Sequence, residues 1–195
     1  MKNGYFVFLF LLFFSSSTLI HATGGYDNGS PVGKGKVELD FTLNPANVVP
    51  YGQSYMIWNY GLSDKISFHG YVSNESKKNI NQIYYGLKYT FFQNSSWDFS
   101  TAIGLRNRAS ETYIYLPQLL YTYKLSKGYD IGGSIVYVYN KTASKSLGTT
   151  YDFAIRIPFE LDFLKEYVES TKLALGAFRN ASGNLYPTYS IDFKF

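Results

Sequence analysis

Along most of the chain apolar and polar residues alternate at period two. Val37, Leu39, Phe41 and Leu43 alternate with Lys36, Glu38, Asp40 and Thr42, which predicts a strand with one apolar face. Met56, Trp58, Tyr60 and Leu62 share one parity of the next strand, and a tight turn at 62–65 leads into residues 66–72. Ile83, Tyr85, Leu87, Tyr89 and Phe91 oppose Tyr84, Gly86, Lys88 and Thr90. Trp97, Phe99, Thr101, Ile103 and Leu105 oppose Asp98, Ser100, Ala102, Gly104 and Arg106. Tyr129, Ile131, Ile135, Tyr137 and Tyr139 then oppose Asp130, Gly132 and Ser134, and Tyr151, Phe153, Ile155 and Ile157 oppose Asp152, Ala154 and Arg156. In the last stretch Tyr189, Ile191, Phe193 and Phe195 alternate with Thr188, Ser190, Asp192 and Lys194.

Two stretches resist this reading. Residues 111–125 carry Tyr113, Tyr115, Leu119, Tyr121 and Tyr123 on one parity, but Ile114, Leu116 and Leu120 make the other face apolar too. Pro117 cannot donate to a ladder, so a bulge or register shift is expected there. In 159–170, Leu164, Tyr167, Val168 and Thr171 have helical spacing, which predicts either a short interfacial helix or a strand count different by two. With polar loops at 44–53, 74–82 and 140–146, and with 171–178 as a further strand, the chain holds about ten strands, with eight and twelve as the neighbouring possibilities.

The start of the chain is different. Lys2 precedes an apolar run, Tyr5 to Phe14, and then Ser15–Ser17 and Ala22. These are the parts of a secretory signal peptide, and the run is too short to span a bilayer as a helix. Cleavage after Ala22 is expected, leaving 23–33 as a flexible leader without period and 34–195 as one domain. Lys2 is the only charge in the signal, so removing it takes the net charge of +4 down to +3, too mild for a nucleic-acid partner. The absence of cysteine excludes a disulfide framework and a thiolate metal site. The 20 Tyr and 16 Phe suit strands and a membrane-interface belt. If the chain spans a membrane, only a closed barrel satisfies its backbone there.

The terminal strand, with Tyr189, Ile191, Phe193 and a final Phe195, resembles the closing strand of bacterial outer-membrane β-barrels. Tyr60-Gly61-Leu62-Ser63-Asp64-Lys65-Ile66-Ser67 is similar to the periplasmic hairpins of transporter-type barrels. The resemblance implies an all-β fold, a closed antiparallel transmembrane β-barrel, in the outer membrane of a Gram-negative bacterium. It also implies an assembly signal at Tyr189, Ile191, Phe193 and Phe195, read by the barrel-assembly machinery. Outer-membrane lipid and lipopolysaccharide are the expected surroundings, the latter within reach of Lys77 and Lys78.

Charge decides which face points where. Lys88 and Asp152 fall mid-strand, where a lipid-facing Lys costs about 2–4 kcal/mol, so the charged parity is expected inside. The lumen-lining set is then Glu38, Asp40, His69, Lys88, Asp98, Arg106, Asp130, Asp152, Arg156 and Asp192, with Lys172 and Lys194 beside them. Ten strands leave a narrow interior. It reads as a small-solute or ion pore with a charged ring, or as a non-conducting core of ion pairs. Small barrels with lipid-modifying activity share this plan, but the surroundings of His69, the single histidine after the signal, match none of their motifs. No metal-ligand spacing, cofactor pattern or catalytic set is found in the sequence, and no enzyme activity is expected.

Overall fold

A computed structural model describes residues 27–43, 53–75, 79–179, 183 and 185–195. The signal segment 1–22 and most of the loop at 44–53 lie outside these, as do Lys77 and Lys78. The strands are β1 (Val37–Leu43), β2 (Gln53–Gly61), β3 (Ile66–Glu75), β4 (Ile80–Gln93) and β5 (Trp97–Arg108). They are followed by β6 (Glu111–Lys124), β7 (Asp130–Asn140), β8 (Lys145–Phe159), β9 (Ser170–Arg179) and β10 (Leu185–Lys194). Each pairs antiparallel with its neighbour in sequence, and β1 pairs with β10, so the sheet closes into a ten-stranded barrel with no free edge. At the end of the seam Val37 and Phe195 exchange both backbone hydrogen bonds, 3.3 and 2.8 Å.

The connections at the Phe195 end include two tight turns with local side-chain locks. Ser63 Oγ accepts from the amide of Ile66 (3.0 Å), and Asn94 Oδ1 accepts from the amides of Ser96 and Trp97 (2.8 and 2.7 Å). Residues 160–169 form the long connection of this end. They contain a single 3₁₀ turn, Asp162–Leu164, and the next strand follows at once, so the helical spacing in this stretch adds neither a longer helix nor a change in strand number.

The outward parity is the apolar one. Phe41, Leu87, Ile103, Ile135, Phe153 and Ile155 are each about half exposed, a continuous apolar belt that a water-soluble barrel would bury. At the Phe195 end Trp97 stacks on Phe99 (5.4 Å, 7°) and packs against Tyr123 (4.6 Å), as an interfacial aromatic girdle does. The barrel is of the outer-membrane type.

Register shifts fall near Phe91 in β4 and near Leu147 in β8, and the one that changes the reading of the sequence is in β6. Between β6 and β7 the register passes from Tyr115↔Val138 to Gln118↔Val136, so β6 carries one extra residue at Leu116–Pro117. This bulge exchanges the two faces of the strand. Before it Tyr113 points in; after it Gln118, Leu120 and Thr122 do, while Leu116 and Leu119 face out. Tyr113 and Tyr115 therefore do not share a face with Leu119, Tyr121 and Tyr123, and the doubly apolar appearance of 111–125 is the sum of two half-strands of opposite parity.

The leader is the second departure. Residues 27–33, expected as a flexible segment, lie inside the barrel. Asn28, Gly29 and Val32 are buried, because the inner wall offers their backbone hydrogen-bond partners that an aperiodic sequence cannot supply for itself.

Candidate functional site

The interior is layered along the barrel axis. Glu38, Asp40, His69, Lys88, Asp98, Arg106, Asp130, Asp152, Arg156 and Asp192 all lie on the inward parity of their strands, and Lys172 and Lys194 share that parity. They do not form one ring; they separate into groups at different heights.

Nearest the Phe195 end is a charged vestibule. Arg156, buried, is its hub: Nε binds Asp130 Oδ1, and Nη1 lies 3.7 Å from Glu38 Oε1 and 3.9 Å from Asp192 Oδ2. Lys172 Nζ reaches Asp130 Oδ2 (2.6 Å), and Lys124 Nζ reaches Asp98 Oδ1 (2.6 Å). A cavity of about 230 Å³ opens here, with Asp98, Lys124, Arg156, Lys172 and Ser30 on its lining. Asp40 sits deeper, accepting from Thr42 Oγ1 (2.7 Å). Outside the strands of this end, Lys36 binds Glu169 (2.6 Å) and holds that carboxyl below its usual range; both side chains are half exposed, so the pair adds little stability.

The middle is occupied by the N-terminal segment. Gly29 donates its amide to Thr122 Oγ1 (3.1 Å) and accepts from Ser100 Oγ (2.7 Å). Ser30 Oγ donates to Asp98 Oδ2 (2.9 Å), and Lys88 Nζ donates to the Asn28 carbonyl (3.3 Å). The fit at Gly29 is close: a Cβ there would come within 2.6 Å of the Asp98 carbonyl and 2.7 Å of Tyr121 Cα, so the segment lies flush on the wall only because this residue is glycine.

Asp27 lies at the inner tip of the described segment. Its Oδ2 is 2.9 Å from His69 Nδ1, and its Oδ1 is 3.6 Å from Lys88 Nζ. Burial disfavours its charge, but Lys88 and His69 outweigh that and hold the carboxyl at about 2. On the other side of the imidazole, Nε2 is 3.0 Å from the Tyr84 hydroxyl, which accepts from Gln118 Nε2 (2.9 Å). A carboxylate only accepts, so Nδ1 donates to Asp27; in the neutral imidazole Nε2 then accepts from Tyr84, and the chain Gln118–Tyr84–His69–Asp27 runs in one direction. Across the lumen Asp152 is held by the Ser134 amide (2.7 Å) and hydroxyl (2.6 Å).

Toward the opposite end the lumen is aromatic. Tyr71 and Tyr115 each stack on Tyr84 at 5.2 Å, their hydroxyls 3.5 Å apart, and Tyr55 meets Tyr71 edge-on. The Arg106 guanidinium lies 4.2 Å over Tyr113 and 5.4 Å from the Tyr115 ring. Its Nε has no hydrogen-bond partner.

Asp27 and Ser30 are the contacts that sequence reasoning misses, since nothing in an aperiodic leader points to a lumen. The inward tyrosines were partly legible: Tyr84 shares its parity with Lys88, and Tyr71 with His69.

No protein-family model matches the chain, and no curated protein matches its sequence. Among solved structures it is similar to the KdgM porin, at TM-score 0.47 and 9% identity over 82% of this chain and 98% of that one. It is similar to KdgM porin in complex with disordered oligogalacturonate at TM-score 0.44, with the same identity and coverage. A triple mutant of Rh. blastica porin gives TM-score 0.37 and 11% identity over 82% of this chain and 51% of that one.

Proposed function

We propose that the protein is exported, cleaved after Ala22, and acts in the outer membrane as a narrow passage for small solutes or ions that its own N-terminal segment holds shut. The observation that carries this reading is the seating of residues 27–30 in the middle of the barrel, on Ser100, Thr122, Asp98, Lys88 and His69. The segment is held by separate polar contacts and takes no part in the strand pairing that closes the barrel, so it can leave without opening the sheet. The C-terminal face of Tyr189, Ile191, Phe193 and Phe195 supports delivery by the barrel-assembly machinery. Nothing in the contacts of His69, whose two nitrogens are taken by Asp27 and Tyr84, favours a catalytic role over a positioning one.

The alternative is a non-conducting barrel whose core is merely filled, and the tyrosine stack favours it. Single-channel current across a planar bilayer separates the two. The chain 23–195 is expected to be closed most of the time, and Gly29→Val, which cannot lie flush on the wall, to give frequent discrete openings. Free conduction by the unaltered chain would remove the closure. Silence from both proteins, each shown folded by heat-modifiable migration, would favour the filled barrel.

A further inference from the structure

We infer that the middle of the lumen is a carboxylate-binding site, filled in this structure by the chain's own Asp27, that takes the carboxylate of a small organic solute in its place. The inference rests on the reading of 27–33 as a displaceable closure, and it names the chemistry of the solute.

The argument starts from which part of the site belongs to the wall. His69 and Lys88 stand on neighbouring strands β3 and β4, each 1% exposed. The carboxylate between them comes from the entering segment. Among the described residues Asp27 is the acidic group that ion-pairs with Lys88; Asp152, the other carboxylate of the barrel's middle, is engaged by Ser134. When the segment withdraws, a buried ammonium and an imidazole N–H lose their acceptor together. Leaving both unmet is costly, so the vacated position attracts an anion.

Geometry selects the kind of anion. Lys88 and His69 address different oxygens of the same group, Oδ1 and Oδ2. A planar two-oxygen anion bridges them, whereas chloride presents one centre. His69 is held in place to do this by Tyr84 and Gln118, so the donor is preorganised rather than recruited. Between this position and the opposite end stands Arg106. Its face is covered by Tyr113, and its Nε edge has no partner, which is the edge that receives a carboxylate. Glu111, paired across from Arg108, is already taken up by Tyr113 and Asn140. A solute carboxylate therefore meets the open Nε of Arg106, whose guanidinium is otherwise held by Tyr71 and Tyr113, on its way to the site now held by Asp27.

The chain 23–195 contains one histidine, since His21 precedes the cleavage position, so the His69 ring gives a single set of NMR signals in the folded, detergent-bound protein. Asp27→Ala is titrated with sodium acetate and, at equal ionic strength, with sodium chloride. Acetate is expected to shift the His69 signals saturably and chloride to leave them. The unaltered chain should need at least about tenfold more acetate, because tethered Asp27 competes at an effective concentration on the order of millimolar. Adding Lys88→Met to Asp27→Ala should weaken acetate binding about tenfold or more. Should Asp27→Ala not refold, Asp27→Gly empties the same position. Equal shifts with chloride, acetate binding indifferent to Lys88→Met, or no shift at all would overturn the inference. Closure is read separately, as current. If Asp27→Ala conducts more than the unaltered chain yet acetate leaves His69 unmoved, closure stands and the carboxylate site falls. If acetate binds but both chains conduct alike, the site stands and closure falls.

Discussion

Asp40 of β1 and Asp192 of β10 face each other directly across the seam that closes the barrel, 6% and 5% exposed. Each has a hydroxyl on its own strand: Thr42 Oγ1 donates to Asp40 Oδ1 at 2.7 Å, and Ser190 Oγ to Asp192 Oδ1 at 3.0 Å. β1 and β10 are the one adjacent pair not joined by a connection along the chain. The two carboxyl groups also share a hydrogen bond, which needs a proton on one of them; once both ionise they work against closure, as like charges directly opposite do in any antiparallel pair.

Replacing Asp40 by Asn removes that opposition while keeping the acceptor for Thr42. Asp40→Asn is expected to raise stability by about 1 kcal/mol at pH 8, read as a higher urea midpoint of the heat-modifiable folded band. A lower midpoint would show that the pair stabilises the seam.

Arg156 is the contrary case. It serves Asp130, Glu38 and Asp192 from a buried position, so its loss leaves Asp130 to Lys172 and takes the guanidinium from Glu38 and Asp192. Arg156→Met should destabilise the barrel by about 3–5 kcal/mol in the same urea assay. An unchanged midpoint would mean that water already solvates these acids and that the vestibule is open.

Gly104 is where the wall makes room for Tyr84. A Cβ there would stand 2.4 Å from the ring and hydroxyl of Tyr84, so Gly104→Ala must push the ring aside. The expected cost is about 1–3 kcal/mol of overpacking. The His69 NMR signals should also change, because the Tyr84 hydroxyl no longer reaches Nε2. A destabilised protein with unchanged His69 signals would place the strain elsewhere.

Much of the barrel was legible in the sequence because a strand's two faces are decided locally. A mid-strand Lys88 or Asp152 cannot face lipid, so the parity of one residue assigns its strand as far as the next register shift, and the inward set from Glu38 to Asp192 follows from period-two counting. The same counting failed at 111–125. There one extra residue at Leu116–Pro117 exchanges the faces, and only the register with Val138 and Val136 shows where the exchange occurs.

The tertiary structure decided what fills the lumen. Residues 27–33 have no period, since their backbone partners are Thr122, Ser100 and Lys88, about 60 to 90 positions away. For the same reason Asp27 reads in the sequence as one more leader residue, and becomes a ligand only when folding brings His69 and Lys88 together around it. The alternation of side chains is a property of single strands and is written in the chain. Which carboxylate meets which cation across the barrel depends on closure, and closure is a property of all ten strands together.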